Sequence, residues 1–387
     1  MTLLPLRGHA AVRASLIGAH RAGNLPSALL LHGARGVGKQ HLALWLARLV
    51  VCADPGDGPC DRCGPCRMAL GLEHPDIHWY FPLPRPKGVS GERMAEALER
   101  ARHEELAELR ASPVRPSWTE DVRAIYLGAV ANLRAVAAKR PSMADGPVFI
   151  VGQAEMLVPQ ESSQEAANAL LKLLEEPPGA ARFILTSSEP GLLLPTIRSR
   201  TVPLHVPPLA LDDVQAFLRE HGSADEDTAA WAARLSQGSP GRAVAFLPHD
   251  GELGPLELLR RRAYEIVVAA MEGGTGGGYE VALSFPPAGA RSFVELFSFV
   301  EEWLRDLAAV AAGAGEAVFN HDARARLERH LTATGAPPVD LAEAFSCVER
   351  ARALARGNVN PQLVIAALVR DLRPAFRRRT PLAGAAR

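Results

Sequence analysis

The sequence has no charge excess of either sign: 43 lysines and arginines face 43 aspartates and glutamates. That argues against a general nucleic-acid coat protein, which binds through a surplus of basic groups, and leaves room only for a local basic patch. It lacks a long apolar run. The opening MTLLPLRGHAAVRASL has no hydrophobic segment of signal-peptide length. The apolar stretch at residues 42–51 is too short to span a bilayer and carries Arg48. The expectation is a soluble, cytoplasmic protein without a membrane partner. Cysteine is scarce and odd in number, five in all, with four inside residues 52–66. That distribution does not suggest a secreted disulfide scaffold. No Ser/His/Asp or Cys/His spacing supports a nucleophilic enzyme.

What is present is a chain of 387 residues, 48% hydrophobic, enough for two or three domains with real cores. ALLLHG at residues 28–33 is a short apolar run that stops at a glycine, the pattern of a buried strand entering a tight turn. KQHLALWLARLVV then spaces Leu42, Trp45, Leu46 and Leu49 as a helix does. GPVFIVGQAE supplies a second strand at residues 148–151, and RFILTSS a third. SQEAANALLKLLEEPP between them is a helix ended by Pro177 and Pro178. Strands alternating with helices imply a parallel sheet covered on both faces. Residues 84–120 differ: PRPKGVSG is a loop, and a charge-rich helix follows whose apolar stripe is only Met94, Leu98, Leu106 and Leu109. This predicts an exposed helical insertion, structural or partner-binding. Past residue 209 the strands vanish, leaving a small helical unit at 210–246 and a longer one at 255–387. EGGTGGGYE inside the latter predicts a flexible connection.

GARGVGKQ, residues 33–40, has the glycines and lysine of a phosphate-binding loop. It places Gln40 where such loops carry Ser or Thr. In a working loop, backbone N–H groups hold the phosphates, the lysine reaches the outer ones, and the hydroxyl binds magnesium. Gly33, Gly36, Gly38 and Lys39 can still bind ATP or ADP. Gln40 is a poor magnesium ligand. The alternative is an inherited glycine turn that binds nothing. The second strand should end in the acids that hold magnesium and orient water, yet it runs into Gly152 and Gln153, with Glu155 expected to point elsewhere. Two losses at one site imply weak or absent hydrolysis.

Cys52, Cys60, Cys63 and Cys66 are separated by seven, two and two residues. Two-residue gaps turn successive thiolates toward one tetrahedral centre, so a structural zinc is expected, with a Cys63/Cys66 redox pair as the rival reading. Cys347 stands alone and reads as a core residue. His74 precedes a proline in a turn, and His78 sits at a strand end. In TIRSRT, Arg198 and Arg200 lie two apart. By residue type either makes a surface salt bridge or reaches a neighbouring subunit's phosphate as an arginine finger. Arg373, Arg377, Arg378, Arg379 and Arg387 give a basic end opposed only by Asp371, either a solvated tail or a binding patch.

Taken in order, these segments resemble a known family. After the phosphate loop and the four cysteines come HPD at residues 74–76, NALLKLLEEPP at 168–178 and FILTSSEP at 183–190. TIRSR follows at 196–200 and GSPGRA at 238–243. The chain is similar to bacterial DNA polymerase III clamp-loader subunits of the AAA+ class, the delta-prime type above the others. Beyond about residue 245 only NVNPQLVIAALVRDL, similar to the family's last collar helix, carries the resemblance. It implies an α/β AAA+ core at residues 1–208, a helical lid at 209–248 and an all-α collar at 255–387. It implies a non-hydrolysing subunit of the sliding-clamp loader within the DNA polymerase III complex, in a five-subunit ring with motor (gamma/tau type) and delta partners. The ring would hold the sliding clamp and primer-template DNA. Ser199 and Arg200 then form the family's finger motif, with Arg200 acting in trans on a neighbour's ATP, and the cysteines hold zinc. Thr201 replaces that motif's usual cysteine, the gap from Cys52 to Cys60 is short, and Gly241 stands where motor subunits carry a nucleotide-sensing arginine. The other reading, an active AAA+ ATPase of motor or repair type, has Lys39 in its favour.

Overall fold

The computed structural model describes residues 4–376, apart from residues 92, 115–122, 158–163, 250, 273–274, 287–292, 335–339 and 358. The arginines of the basic end after Arg373 lie outside the described residues. No helix among the described residues is long and apolar enough to cross a membrane. The chain forms two compact units, the first ending at Val244 and the second beginning at Ala245.

In the first unit, α1 (Ala10–Arg21) leads into β1 (Ala28–His32), and α2 (Lys39–Val51) and α3 (Gly64–Leu70) follow. Next come β2 (Ile77–Tyr80), β3 (Leu83–Pro84), α4 (Arg93–Ala111), β4 (Arg123–Ala124) and α5 (Leu127–Ala137). The core closes with β5 (Val148–Val151), α6 (Glu165–Glu175), β6 (Arg182–Ser187), α7 (Pro195–Arg198) and β7 (Val202–His205). Five strands form one parallel sheet in the order β2-β5-β6-β1-β7. The expected α/β core with a parallel sheet is therefore present. Its inner strands carry unbroken apolar runs, residues 28–31, 148–151 and 183–185, rather than alternating ones, because helices cover both faces. Leu31, Phe149, Phe183 and Leu185 are fully buried. Two strands of this sheet, and the short pair β3 and β4, are not delimited by the sequence, which places only His78 at a strand end. β2 mixes His78, Trp79 and Tyr80 with a single aliphatic residue. β7 lies at the sheet edge, mostly exposed, where Pro203 is tolerated because an edge strand does not need every N–H.

The insertion is not a free arm. Leu98 and Leu106 of α4 enter the core cluster, and the Arg102 guanidinium lies 5.0 Å above the Tyr80 ring. Residues 115–120 of the insertion lie outside the described residues. After β7 come α8 (Leu211–His221), α9 (Glu226–Leu235) and α10 (Pro240–Phe246). Asp225 caps α9 by accepting from Thr228 N at 2.8 Å.

The second unit is helical: α11 (Pro255–Glu272), α12 (Thr275–Leu283), α13 (Phe293–Ala311), α14 (Arg324–Thr334), α15 (Leu341–Arg356) and α16 (Pro361–Leu372). Its core centres on Phe297, Phe299 and Trp303. Of the glycine tract expected as a flexible connection, residues 273–274 lie outside the described residues, and the chain is helical from Thr275. Gly278 explains why: a Cβ there would lie 3.0 Å from Val369 Cγ1, so glycine lets α12 approach α16 closely. Inside this unit Arg260, 4% exposed, donates to Glu257, Asn320 and Asp322 at 2.7–3.0 Å. The Trp303 indole N–H donates to Arg260 O at 2.9 Å.

Candidate functional site

The glycine loop leaves the C-terminal end of β1 and opens α2. Gly33, Gly36 and Gly38 all have positive φ, at 156°, 84° and 99°. At Gly33 a Cβ would lie 2.3 Å from Val206 O, so only glycine fits between β1 and the segment after β7. Gly38, in the left-handed region, is the N-cap of α2. Lys39 turns back over the loop and is buried. Its ammonium donates to Gly33 O at 2.8 Å, Ala34 O at 2.7 Å and Ser188 Oγ at 2.9 Å. Burial lowers its pKa to about 8, against the opposing pull of Glu155. The other side of the loop also meets its own chain. Gly241 N donates to Gly36 O at 2.9 Å, and a Cβ at 241 would come within 3.2 Å of Gly36. The missing sensing arginine thus coincides with a backbone contact that leaves little space for a side chain. His9 Nε2–H donates to Val37 O at 2.9 Å.

Gln40 and Gly152, where the sequence reading looks for magnesium ligands, face each other. A Cβ at Gly152 would lie 3.1 Å from Gln40 Nε2, 3.2 Å from its Cδ and 3.2 Å from Trp79 Nε1. The amide of Gln40 therefore occupies the space of a side chain at the end of β5. Gln153 adopts φ 52° and its N–H donates to Thr186 Oγ1 at 3.0 Å. Glu155 does not point elsewhere, as the sequence had suggested. The short helical turn Ala154–Leu157 folds it back, buried, to accept from Ser188 N at 3.0 Å beside the Lys39 network. Chain distance alone hides this, since the partner, Ser188, lies 33 residues further along.

Arg200 lies just past α7, on the crossover from β6 to β7. Its Nη2 pairs with Glu175 Oε1 at 2.5 Å. Its Nη1 donates to Thr196 O at 2.9 Å and to Ser199 Oγ at 3.4 Å. Ser199 Oγ in turn donates to Thr196 O at 3.1 Å. Thr201, buried, uses its hydroxyl to close the turn, 3.2 Å from Ile197 O and 3.3 Å from Arg198 O. Arg198 points to solvent as an exposed residue.

The four sequence-predicted cysteines converge. Their sulfurs lie within 4.8 Å of one another. Backbone N–H groups of Cys60, Cys63 and Cys66 approach the sulfurs of Cys52, Cys60 and Cys63 at 3.3, 3.4 and 3.4 Å. The N–H groups of Arg62 and Cys63 pull the Cys60 thiol down to about 6, whereas burial raises Cys52 and Cys66. A tetrahedral zinc with Zn–S near 2.3 Å needs its sulfurs about 3.8 Å apart, so the donor set fits a four-thiolate metal site with only small adjustment. Arg48 is buried close to it, its Nε 3.5 Å from Asp61. Cys347 stays apart and donates to Asp371 O at 3.0 Å.

A family profile described as "DNA polymerase III, delta subunit" matches residues 8–210, the stretch that carries the loop, the cysteines and Arg200. The chain is 27% identical over 252 residues to DNA polymerase III subunit delta' of Escherichia coli (strain K12), covering 65% of this chain and 63% of that one. It is 28% identical over 211 residues to the subunit delta' of Bacillus subtilis (strain 168), covering 54% and 50%. With DNA polymerase III subunit gamma/tau of Mycobacterium tuberculosis (strain ATCC 25618 / H37Rv) it shares 30% over 246 residues, covering 62% and 35%. Each match spans less than two thirds of the relative's length. Among solved structures, a DNA polymerase III gamma subunit-related protein of Thermotoga maritima aligns with 94% of this chain and 99% of its own. The TM-score there is 0.36 at 17% identity.

Proposed function

The chain belongs to the DNA polymerase III delta subunit family, and from that premise we propose that it is a non-hydrolysing, delta-prime-like subunit of the sliding-clamp loader. In this reading residues 1–208 are the AAA+ core, 209–248 the lid and 255–387 the collar. The collar joins a five-membered ring with gamma/tau-type and delta subunits. The ring acts on the sliding clamp and primer-template DNA. Arg200, ordered by Thr196 and Ser199, completes the ATP site of an adjacent motor subunit by neutralising charge on the transferred phosphoryl group.

The observation that carries the non-hydrolysing half is the contact between Gln40 and the space at Gly152. Phosphoryl transfer needs magnesium held by oxygen ligands from the loop and the neighbouring strand. Here one position offers an amide and the other no side chain. Lys39, whose ammonium is taken by Gly33 O, Ala34 O and Ser188, is committed to the fold. The glycine loop then persists because β1, the turn and α2 need it for packing. Cys52, Cys60, Cys63 and Cys66 would hold zinc as a structural cross-link, a role in which four thiolates leave no open position for catalysis.

The retained lysine keeps one rival, an active ATPase. ATP turnover by the purified chain beside Lys39→Ala separates the two. Equal inactivity supports the non-hydrolysing reading. Turnover by the wild type alone overturns it. The finger is read in the assembled loader, where Arg200→Ala should slow DNA-stimulated ATP hydrolysis by roughly 10³-fold or more.

A further inference from the structure

We propose that Glu175 is a positioning residue for Arg200: it holds the guanidinium in the pose that reaches the neighbouring subunit's ATP. The inference rests on the finger reading above and deepens it.

Glu175 is the last residue of α6, and α6 is held firmly. Ala166, Ala167, Leu170 and Leu174 bury one face in the core, and Pro177 and Pro178 stop the chain from continuing the helix. The carboxylate therefore stands on a rigid mount. Arg200 comes from a different element, 25 residues on, and Nη2 meets Glu175 Oε1 at 2.5 Å while Nη1 meets Thr196 O at 2.9 Å. The end of α6 adds to the attraction, because a helix C-terminus carries partial negative charge that favours a cation.

Two anchors fix a planar guanidinium in orientation as well as position. Among the described residues Nη1 donates to Thr196 O and Ser199 Oγ and Nη2 is ion-paired to Glu175, which leaves Nε–H for an incoming oxyanion. The Arg200 side chain is 33% exposed, so it is held in place but still reachable. A long arginine without these anchors would sample many rotamers, and each catalytic contact would have to select one. Misplacement by about 1 Å can lower a rate by roughly 10²-fold. A carboxylate could instead act as a brake by neutralising the finger. Positioning is favoured because Thr196 O anchors Nη1 separately and the side chain stays 33% exposed, so the pair leaves the guanidinium reachable.

The test uses the loader assembled with its motor subunits, clamp and primed DNA, and reads kcat and KM for ATP. Glu175→Ala should lower kcat about tenfold or more with KM changed less than about twofold. Glu175→Gln keeps the acceptor oxygen and should recover most of the rate. Glu175→Ala combined with Arg200→Ala should be no slower than Arg200→Ala alone, because both remove one device. Thermal unfolding of each free subunit checks that the fold is kept, and Glu175→Leu, which also lacks the acceptor and keeps the helix, stands in with the same expected loss if the Ala variant is unstable. If Arg200→Ala slows the loader but Glu175→Ala runs at wild-type speed or faster, the positioning role is overturned and the finger stands. If Arg200→Ala itself runs at wild-type speed, the finger reading fails, and the role of Glu175 falls with it.

Discussion

Gln40 fills the space that a side chain at Gly152 would need: a Cβ there would lie 3.1 Å from Gln40 Nε2. The two residues come from different elements, the start of α2 and the end of β5. At each position a magnesium site would carry an oxygen ligand. The two positions are complementary in space, a long side chain on the loop and none on the strand, so a substitution at one bears on the other.

Gly152→Asp alone should therefore strain the site. Gln40 must move by several tenths of an ångström and Trp79 stands 3.2 Å away on the same side. The expected loss is ~1–3 kcal/mol, the usual scale for overpacking. Gln40→Thr made with it should return part of that loss. A double-mutant cycle in urea measures the coupling, expected at ~0.5 kcal/mol or more. Strict additivity would mean that the two positions do not share space in solution.

The pH dependence of stability should carry the mark of Lys39. Burial brings its pKa down to about 8 from the ordinary 10.5. Between those values the unfolded chain holds the proton and the folded chain does not. Stability must then rise with pH across that window and fall back as pH drops through 8. The difference between wild type and Lys39→Met isolates this residue from other groups. It should grow in favour of wild type by on the order of 1–3 kcal/mol from pH 8 to pH 10.5. A flat difference would place Lys39 in water.

The limits of β1 and α2 could be read from the sequence to the residue, because an apolar run, a glycine turn and a helical stripe each follow a local rule. So could the convergence of the four cysteines, whose short gaps make it a local matter. Non-local features stayed hidden. The pairing of Arg200 with Glu175 was open only as an unspecified salt bridge. Glu155 meets Ser188, 33 residues away, a contact that its place in the sequence does not display. The glycines of α12 look like a linker until Val369 supplies the reason for them. The edge strand β7 has no hydrophobic pattern because it has little to bury.

The Arg260 cluster joins residues about sixty positions apart, as in the 62-residue separation from Asp322, so no window of sequence contains it. Arg260 and Glu257 each have side chains only 4% exposed. Removing the cation would leave the buried Glu257 carboxylate with only the exposed Arg261, whose Nε donates to it at 2.6 Å, and would strip Asp322 and Asn320 of their shared donor. Arg260→Leu should cost about 3–5 kcal/mol, as loss of one member of a buried pair does. Urea denaturation compared between wild type and variant by circular dichroism measures the loss, and replacing every other tryptophan by Phe lets the fluorescence of Trp303, whose indole N–H is bonded to Arg260 O, follow this unit. A loss below about 1 kcal/mol would show that water reaches the pair and that the cluster contributes little.

The cysteine cluster makes its own prediction, independent of any role in a ring. If the four thiolates hold zinc, metal analysis of the purified chain should find one ion per chain, and Cys63→Ser should lose it. Cys63 is the telling position, because its sulfur also accepts the Cys66 N–H that caps α3. Metal binding is folding energy where the site is not preformed in the unfolded chain. Chelation should thus lower the unfolding temperature of the wild type by several degrees, at roughly 2–4 °C per kcal/mol for a unit of this size. The same treatment should leave Cys63→Ser unchanged. Lowering the pH should release the ion as well, since protons compete for thiolates. A wild-type chain that holds no zinc, and whose unfolding temperature ignores both chelator and the serine variant, would leave these cysteines as reduced thiols packed against α2.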